Sequence, residues 1–246
     1  MAYVGNPIDV IKKLYTDKQW DEIVLFCQNM LKADPKDMIA LQNIAMASLN
    51  LGRLDQAISF CDKVLEINEF DEYATKNKIL ALEKLGKFDS VIEMCNKMLT
   101  QSPFNPWILN TKGLAYNEMQ KHDSAIQYYD MALRIEPDNV TALLNKANTL
   151  LFLGKFADAI PLFDKAQQRE KSSFAANAKS QAYQKLGKED EAFLAAQGVL
   201  VSDIERYVED AQEKKMKIFD YYCMIEYELM EKAKNQPKTE FKVELE

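Results

Sequence analysis

The chain has 246 residues, of which 48% are hydrophobic and 28% charged, so it has enough apolar side chains for a folded core. Its net charge of −7 argues against a protein that holds nucleic acid or an anionic membrane through charge alone. Seven glycines and seven prolines are too few for the tight turns of a β-sandwich or barrel, so helices are expected.

The sequence also predicts the cellular compartment of the protein and the kinds of chemistry that it lacks. No apolar stretch approaches the roughly 20 residues that span a bilayer, and no basic start precedes an apolar block as in a secretory signal. Together with only four cysteines, this predicts a cytoplasmic protein with reduced thiols. His122 is the single histidine, and the common phosphate, zinc and nucleophile motifs are absent, so no catalytic residue, metal or cofactor is predicted.

A 34-residue repeat organises most of the chain. One marker recurs every 34 residues and, the last time, after 33: Gly52, Gly86, Gln120, Gly154 and Gly187. A second marker follows the same period at Pro35, Pro103 and Pro137. Two markers in one register indicate a repeat architecture.

Each repeat predicts two amphipathic helices joined by a tight turn, for which the glycine is suited. Asn6 and Pro7 are typical of an N-cap and a first helical residue, so the first helix begins there. In the second repeat the two apolar stripes consist of Leu41, Ile44, Ala45 and Ser48, and of Leu54, Ala57, Ile58, Cys61, Val64 and Leu65. In the fifth repeat Pro161 falls about five residues into the second helix and predicts a local kink.

After the repeats, the pattern predicts one long charged helix that ends near Asn235. Its apolar stripe consists of Ile204, Val208, Ala211, Ile218, Tyr222, Ile225 and Leu229. This helix either covers the open end of the last repeat or, through its seven-residue spacing, forms a coiled-coil contact. Residues 236–246 are predicted to be a flexible tail, although alternating apolar residues also suit an extended segment in a partner's groove.

The 34-residue period, the small and apolar packing residues, the glycine turn and the terminal proline closely resemble the tetratricopeptide repeat (TPR) family. The resemblance implies an all-α, right-handed solenoid of about six helix–turn–helix repeats with a long C-terminal capping helix. In this register the repeats occupy residues 4–37, 38–71, 72–105, 106–139, 140–172 and 173–206, followed by the capping helix at 207–235. The first repeat departs from the pattern, with Lys18 in the glycine position.

In the TPR family the first helix of each pair lines a concave groove that binds peptides or protein segments. Asparagine recurs in one position of these helices, and its amide matches both the N–H and the C=O of an extended backbone. Large aromatic side chains there are typical binding anchors. The predicted groove residues are Asn43, Asn77, Asn110, Asn145, Asn148, Asn177, Trp107, Tyr73 and Lys76. Each group has an alternative role that stays open. The asparagines could bond neighbouring helices instead of a ligand, and the aromatics could pack between neighbouring repeats instead of anchoring a ligand.

These residues predict a non-catalytic adaptor that binds a protein or peptide partner. Some family members clamp a C-terminal carboxylate with lysines, asparagines and an arginine, but here Leu80, Thr111 and Thr141 occupy clamp positions near Lys76. We therefore expect a neutral or mildly basic extended segment instead. The alternative is a self-assembling scaffold, for example a homodimer, joined through the C-terminal helix or tail.

Three of the cysteines resemble a metal or redox set until their spacing is considered. Cys27, Cys61 and Cys95 lie 34 residues apart, so stacked helices should separate them by about 10 Å. A disulfide needs Cα atoms within about 7 Å. We therefore predict buried structural thiols, and we expect Cys223 to pack into the core as well.

Overall fold

The computed structural model describes residues 6–234, and over that range the chain consists of fourteen α-helices without a strand. The all-α fold expected from the sequence is confirmed. The helices fall into two compact units, residues 1–135 and residues 136–246. Among the described helices, none has the length and apolar content needed to cross a bilayer.

The first unit contains four helix pairs, and each helix packs against the next one along the chain. Its helices are α1 (Pro7–Thr16), α2 (Trp20–Ala33), α3 (Met38–Asn50), α4 (Leu54–Ile67), α5 (Glu72–Lys84), α6 (Phe88–Gln101), α7 (Pro106–Glu118) and α8 (His122–Ile135). The core between them is built from alanines and from fully buried residues such as Ile23, Ile44 and Ile108.

Side-chain caps start the first helix of each pair in this unit. Asn6 accepts a hydrogen bond from the backbone N–H of Ile8 ahead of Pro7, as predicted. Asp37, Asp71 and Asn105, which lie 34 residues apart from one another in sequence, cap α3, α5 and α7 in the same way. Because each cap satisfies an otherwise unpaired N–H at the helix start, this acidic or amide position is a third marker of the repeat.

The turn inside each pair needs one residue in the left-handed backbone region. Gly52 and Gly86 adopt φ values of 71° and 69° there, which glycine does without steric cost. Lys18 and Gln120 stand in the same position of the first and fourth repeats, with φ values of 53° and 60°. The packing of the two helices therefore requires a left-handed residue in this turn, even in the repeats where that residue is not glycine and the conformation costs energy.

The second unit contains two further pairs and two terminal helices. These are α9 (Val140–Phe152), α10 (Phe156–Arg169), α11 (Ser173–Lys185), α12 (Glu189–Ala196), α13 (Val201–Glu213) and α14 (Ile218–Lys234). α10 runs through Pro161 without ending, and a bend at this proline stays a prediction. α12 is short because the chain turns at Gly198, where φ is 85°.

The expectation of one long C-terminal helix is wrong, because the chain breaks it into α13 and α14. Lys215 adopts a φ of 53°, and the N–H of Met216 bonds the carbonyl of Ala211 at 2.9 Å, which closes the end of α13. The break lets Ile218 and Tyr222 join Ile204 in an apolar cluster over α11 and α12. The predicted tail, 236–246, and Asn235 lie outside the described residues.

Candidate functional site

The first helices of the first unit expose large apolar side chains. Ile8 on α1, Ile39 on α3, and Tyr73 and Leu80 on α5 are each 38–43% exposed. Single exposed apolar residues are ordinary on a protein surface, whereas a set on neighbouring elements is typical of an interaction site. We call the surface formed by α1, α3, α5 and α7 the first-helix face.

A cleft of about 300 Å³ opens on this face where α1, α3 and α5 meet. Its lining residues are Ile8, Ile11, Lys12, Tyr15, Ile39, Asn43, Met46 and Tyr73. Two of the predicted groove residues, Asn43 and Tyr73, are among them. Because most of the lining is aliphatic or aromatic, the cleft is suited to an apolar group.

Contacts behind the cleft hold its aromatic walls in place. The Tyr15 ring packs edge-on against Trp20, with the ring centres 5.2 Å apart. The Tyr73 hydroxyl donates a hydrogen bond to the Met46 sulfur at 3.2 Å. Burial raises the pKa values of both tyrosines above their usual range, so both stay neutral near pH 7.

The asparagines of this face differ in what they can offer a ligand. The Asn43 Nδ2 donates to the carbonyl of Ile39 at 2.7 Å, within its own helix, which leaves its Oδ1 to accept a hydrogen bond. The Nδ2 of Asn77 is buried and has no hydrogen-bond partner within the described range. Asn110, by contrast, is only 7% exposed and has little surface for a ligand.

Lys76 and Trp107 contact each other across α5 and α7. The Lys76 ammonium lies 5.1 Å from the centre of the Trp107 ring and 2.6 Å from the carboxylate of Glu72. Trp107 is half buried and packs beside Ile79, so it contributes to packing between repeats as well as to the face. The charge of Lys76 is already balanced, which further disfavours a carboxylate clamp at this position.

The other three predicted groove residues belong to the second unit. Asn145 and Asn148 are half buried on α9, and Asn177 is exposed on α11. Phe152 and Phe174, on the same two helices, are 75% and 53% exposed. The second unit therefore also combines amides and exposed aromatics on its first helices.

The residues of α1 that line the cleft were not predicted from the sequence. Ile8, Lys12 and Tyr15 lie in the first repeat, which has Asp9 in place of the asparagine that marks the groove at Asn43 and Asn77. The Lys12 ammonium forms no ion pair among the described residues. The register set by Lys18 would have placed Lys12, since Lys12 lies 34 residues before Met46 of the second repeat.

A second set of polar contacts is structural and joins three of the second helices, α4, α6 and α10, to the first helix that follows each. The Lys112 ammonium is nearly buried and donates to Asn96 Oδ1 at 2.5 Å, and Lys78 pairs with Asp62 at the same distance. In both cases the lysine follows its acceptor by sixteen residues. These lysines hold neighbouring repeats together.

The most buried pair of this set lies in the second unit. Lys179 has no exposed surface, and its ammonium donates to Asp164 Oδ1 at 2.6 Å and to the carbonyl of Val199 at 2.8 Å. The same Asp164 oxygen accepts the N–H of Val201 at 2.9 Å. The pair therefore fixes the turn between α12 and α13.

The cysteines bear out the structural interpretation for three of the four. Cys27, Cys61 and Cys95 are buried and unpaired, and burial raises the pKa of each thiol to about 12. They therefore remain protonated and unreactive near neutral pH. The expectation for Cys223 is wrong, because it is exposed on α14.

Family models match two adjoining parts of the chain. The model described as "Psidin, N-terminal TPR repeats region" matches residues 45–153. A model described as "Tetratricopeptide repeat" matches residues 144–204. A search of curated proteins found no match.

Solved structures with a similar fold include a tetratricopeptide repeat protein from Parabacteroides merdae, with a TM-score of 0.65 and 17% identity over 78% of this chain and 77% of that one. A fragment of MamA from Desulfovibrio magneticus has a TM-score of 0.59 and 17% identity, covering 67% of this chain and 93% of the fragment. Another MamA structure has a TM-score of 0.58 and 21% identity, with 69% and 96% covered. At such identities the likeness establishes a shared fold.

Proposed function

The chain is a tetratricopeptide repeat protein, and from this premise we propose that it is a non-catalytic adaptor whose first-helix face binds an extended peptide or protein segment. The family's fold suggests a role in protein–protein interaction. The binding of an extended segment by this face is supported by the apolar cleft between α1, α3 and α5, with asparagine amides on the helices around it.

Two kinds of contact on this face suit an extended chain. The exposed side chains of Ile39, Tyr73 and Leu80 offer apolar area, whose burial stabilises a complex by about 25 cal/mol per Å². The Asn43 carbonyl oxygen can accept a peptide N–H, and the Asn77 amide nitrogen, which is buried and lacks a partner within the described residues, can donate to a peptide C=O once its side chain rotates outward; each bond contributes about 0.5–1.5 kcal/mol. The apolar contacts supply an anchor, and the amides align the backbone whatever its sequence.

The groups around the cleft do not suit catalysis. Tyr15 and Tyr73 hold their protons because burial raises their pKa values, so neither acts as a base at neutral pH. Away from the cleft, the thiols of Cys27, Cys61 and Cys95 are buried and protonated. This favours a binding role over an enzymatic one.

The amide contacts can be tested with peptides selected from a random library displayed on phage, using the full chain as bait. We expect the double variant Asn43→Ala/Asn77→Ala to bind the selected peptides about tenfold more weakly, because two hydrogen bonds are lost. The measurement is the dissociation constant by fluorescence polarisation. Asn29→Ala, an exposed asparagine on α2, serves as the matched control and should leave the dissociation constant unchanged.

Two results would count against the amide contacts. One is equal affinity of the parent and the double variant. The other is weakening by the Asn29 control as well, since that would report a general effect of removing surface amides. Circular dichroism of all variants checks that helix content is retained.

A second candidate function is self-assembly through α14, which is favoured by the exposed side chains on that helix. Phe219, Tyr227, Leu229 and Met230 are each at least 50% exposed, and such a set on one helix is typical of an interface. If α14 joins copies, light scattering of the full chain should give at least the mass of a dimer, and Tyr227→Glu/Met230→Glu should return it to a monomer. A parent chain that is already monomeric would contradict this candidate.

A further inference from the structure

We propose that the cleft between α1, α3 and α5 receives one large apolar side chain of the partner segment and that Lys12 pairs with an acidic residue beside it. This inference rests on the proposed function, because it assumes that the first-helix face binds an extended segment. It specifies which side chains the ligand carries, because amide contacts to a peptide backbone do not depend on its side chains.

The size and lining of the cleft favour a single side chain as its occupant. At about 300 Å³ it lies at the small end of ligand pockets, which span roughly 300–1,000 Å³. Ile8, Ile11 and Ile39 supply aliphatic surface, and the thioether of Met46 supplies a polarisable apolar surface. A leucine, methionine or phenylalanine side chain meets these conditions, whereas a polar side chain would lose its water without a matching set of partners.

The aromatic walls are fixed before any ligand arrives. Tyr15 is held by Trp20, and Tyr73 is held by its hydrogen bond to Met46. Since these side chains need not be ordered on binding, little conformational entropy is lost when the cleft is filled. The cleft is therefore a preformed anchor site.

The positive charge of Lys12 favours an acidic residue in the ligand, next to the apolar side chain that fills the cleft. Lys12 is the one charged residue among those that line the cleft, and its ammonium has no ion-pair partner in the described part of the chain. α3, which contributes Ile39, Asn43 and Met46 to the lining, carries no charged residue from Met38 to Asn50. A carboxylate next to the anchor side chain would therefore meet an uncompensated positive charge. This differs from the neutral or mildly basic segment expected from the later repeats, because that expectation did not include α1.

The test uses peptides selected by the full chain from a displayed random library. We expect the selected sequences to share a large apolar residue with Asp or Glu close to it. Ile39→Asp should weaken their binding about tenfold or more, since it places a carboxylate against the apolar anchor. Its matched control is Ile67→Asp, because Ile67 is equally exposed, at 43% against 42%, but lies at the end of α4.

A charge exchange tests the role of Lys12. Lys12→Glu should weaken binding about threefold to fivefold, as expected for an exposed ion pair, and a peptide whose acidic residue is replaced by lysine should bind this variant better than it binds the parent. Lys13→Glu changes the net charge equally on the neighbouring residue of α1 and should alter the dissociation constant less than twofold.

The outcomes separate this proposal from the function on which it rests. Peptides that lose affinity with Asn43→Ala/Asn77→Ala but not with Ile39→Asp would overturn the cleft assignment and leave the adaptor function standing. A consensus without a large apolar residue, or failure of the charge exchange, would also overturn it. No selected peptide sensitive to any of these variants would overturn both proposals.

Discussion

Replacing Lys179 with methionine is expected to destabilise the second unit by about 3–5 kcal/mol, the usual cost of removing one partner of a buried ion pair. Asp164 is only 6% exposed, so its carboxylate would remain in a poorly solvated site. The N–H of Val201 and the amide of Gln168 would still bond it, but neither carries a positive charge. The buried carboxylate would therefore be left uncompensated.

The double variant Asp164→Leu/Lys179→Met separates the cost of an unpaired charge from the loss of the pair itself. With both charges removed, the site becomes apolar, and the double variant should be more stable than Lys179→Met alone. Lys165→Met is the matched control, because its ion pair with Asp138 is largely exposed and should contribute less than about 1 kcal/mol.

Urea unfolding monitored by circular dichroism gives the free energy of unfolding for each variant. Hydrogen exchange gives the location, because Lys179 and Asp164 also bond Val199 and Val201 between α12 and α13. Loss of protection in Lys179→Met should therefore be greatest at residues 196–204. A change below about 1 kcal/mol in Lys179→Met would show that the pair is solvated in solution and contributes little.

The repeat fold was predictable because its signals are local and recur. A glycine turn and two apolar stripes appear in most repeats, so the period and the helix pairs follow from pattern alone. The break between α13 and α14 was not predictable in this way. Lys215 takes a left-handed backbone conformation, and a lysine in a charged helix gives no compositional sign of it. What favours the break is the apolar cluster that Ile218 and Tyr222 join, which is a tertiary effect.

The candidate site was only partly predictable for a similar reason. The repeat register identified Asn43 and Tyr73, which do line the cleft. It did not distinguish Asn77 from Asn110, which is nearly buried, because burial depends on the side chains that the next helix presents. The contribution of Lys12 was missed because all the predicted groove residues came from the second to sixth repeats, where asparagines and aromatics recur.

Replacing Gly113 with alanine is expected to destabilise the first unit by about 1–3 kcal/mol, although alanine favours a helix by about 1 kcal/mol. Gly113 lies inside α7, and a Cβ atom there would come within 2.6 Å of the Tyr129 ring. Tyr129 has no exposed surface, so the ring has no free space into which to move. The overlap therefore outweighs the gain in helix propensity.

The preceding repeat fills the same pair of positions with the sizes reversed. Thirty-four residues earlier, Ile79 and Cys95 take these positions and share one apolar cluster. A small residue on the first helix therefore packs with a large one on the second, and a large one on the first helix packs with a small one on the second. In these two repeats neither position requires one fixed residue, but the two side chains must fit each other.

The contact with the Tyr129 ring predicts that the size of the alanine effect depends on residue 129. In the parent, Gly113→Ala should lower the free energy of unfolding by about 1–3 kcal/mol. In the background of Tyr129→Cys, which removes the ring, the same change should lower it by at least about 1 kcal/mol less, because only the 3.1 Å approach of the new Cβ atom to the carbonyl of Ala125 opposes the gain in helix propensity. Urea unfolding of the four chains of this double-mutant cycle measures both effects. Equal destabilisation in the two backgrounds would show that the Tyr129 ring is not what excludes a side chain from position 113.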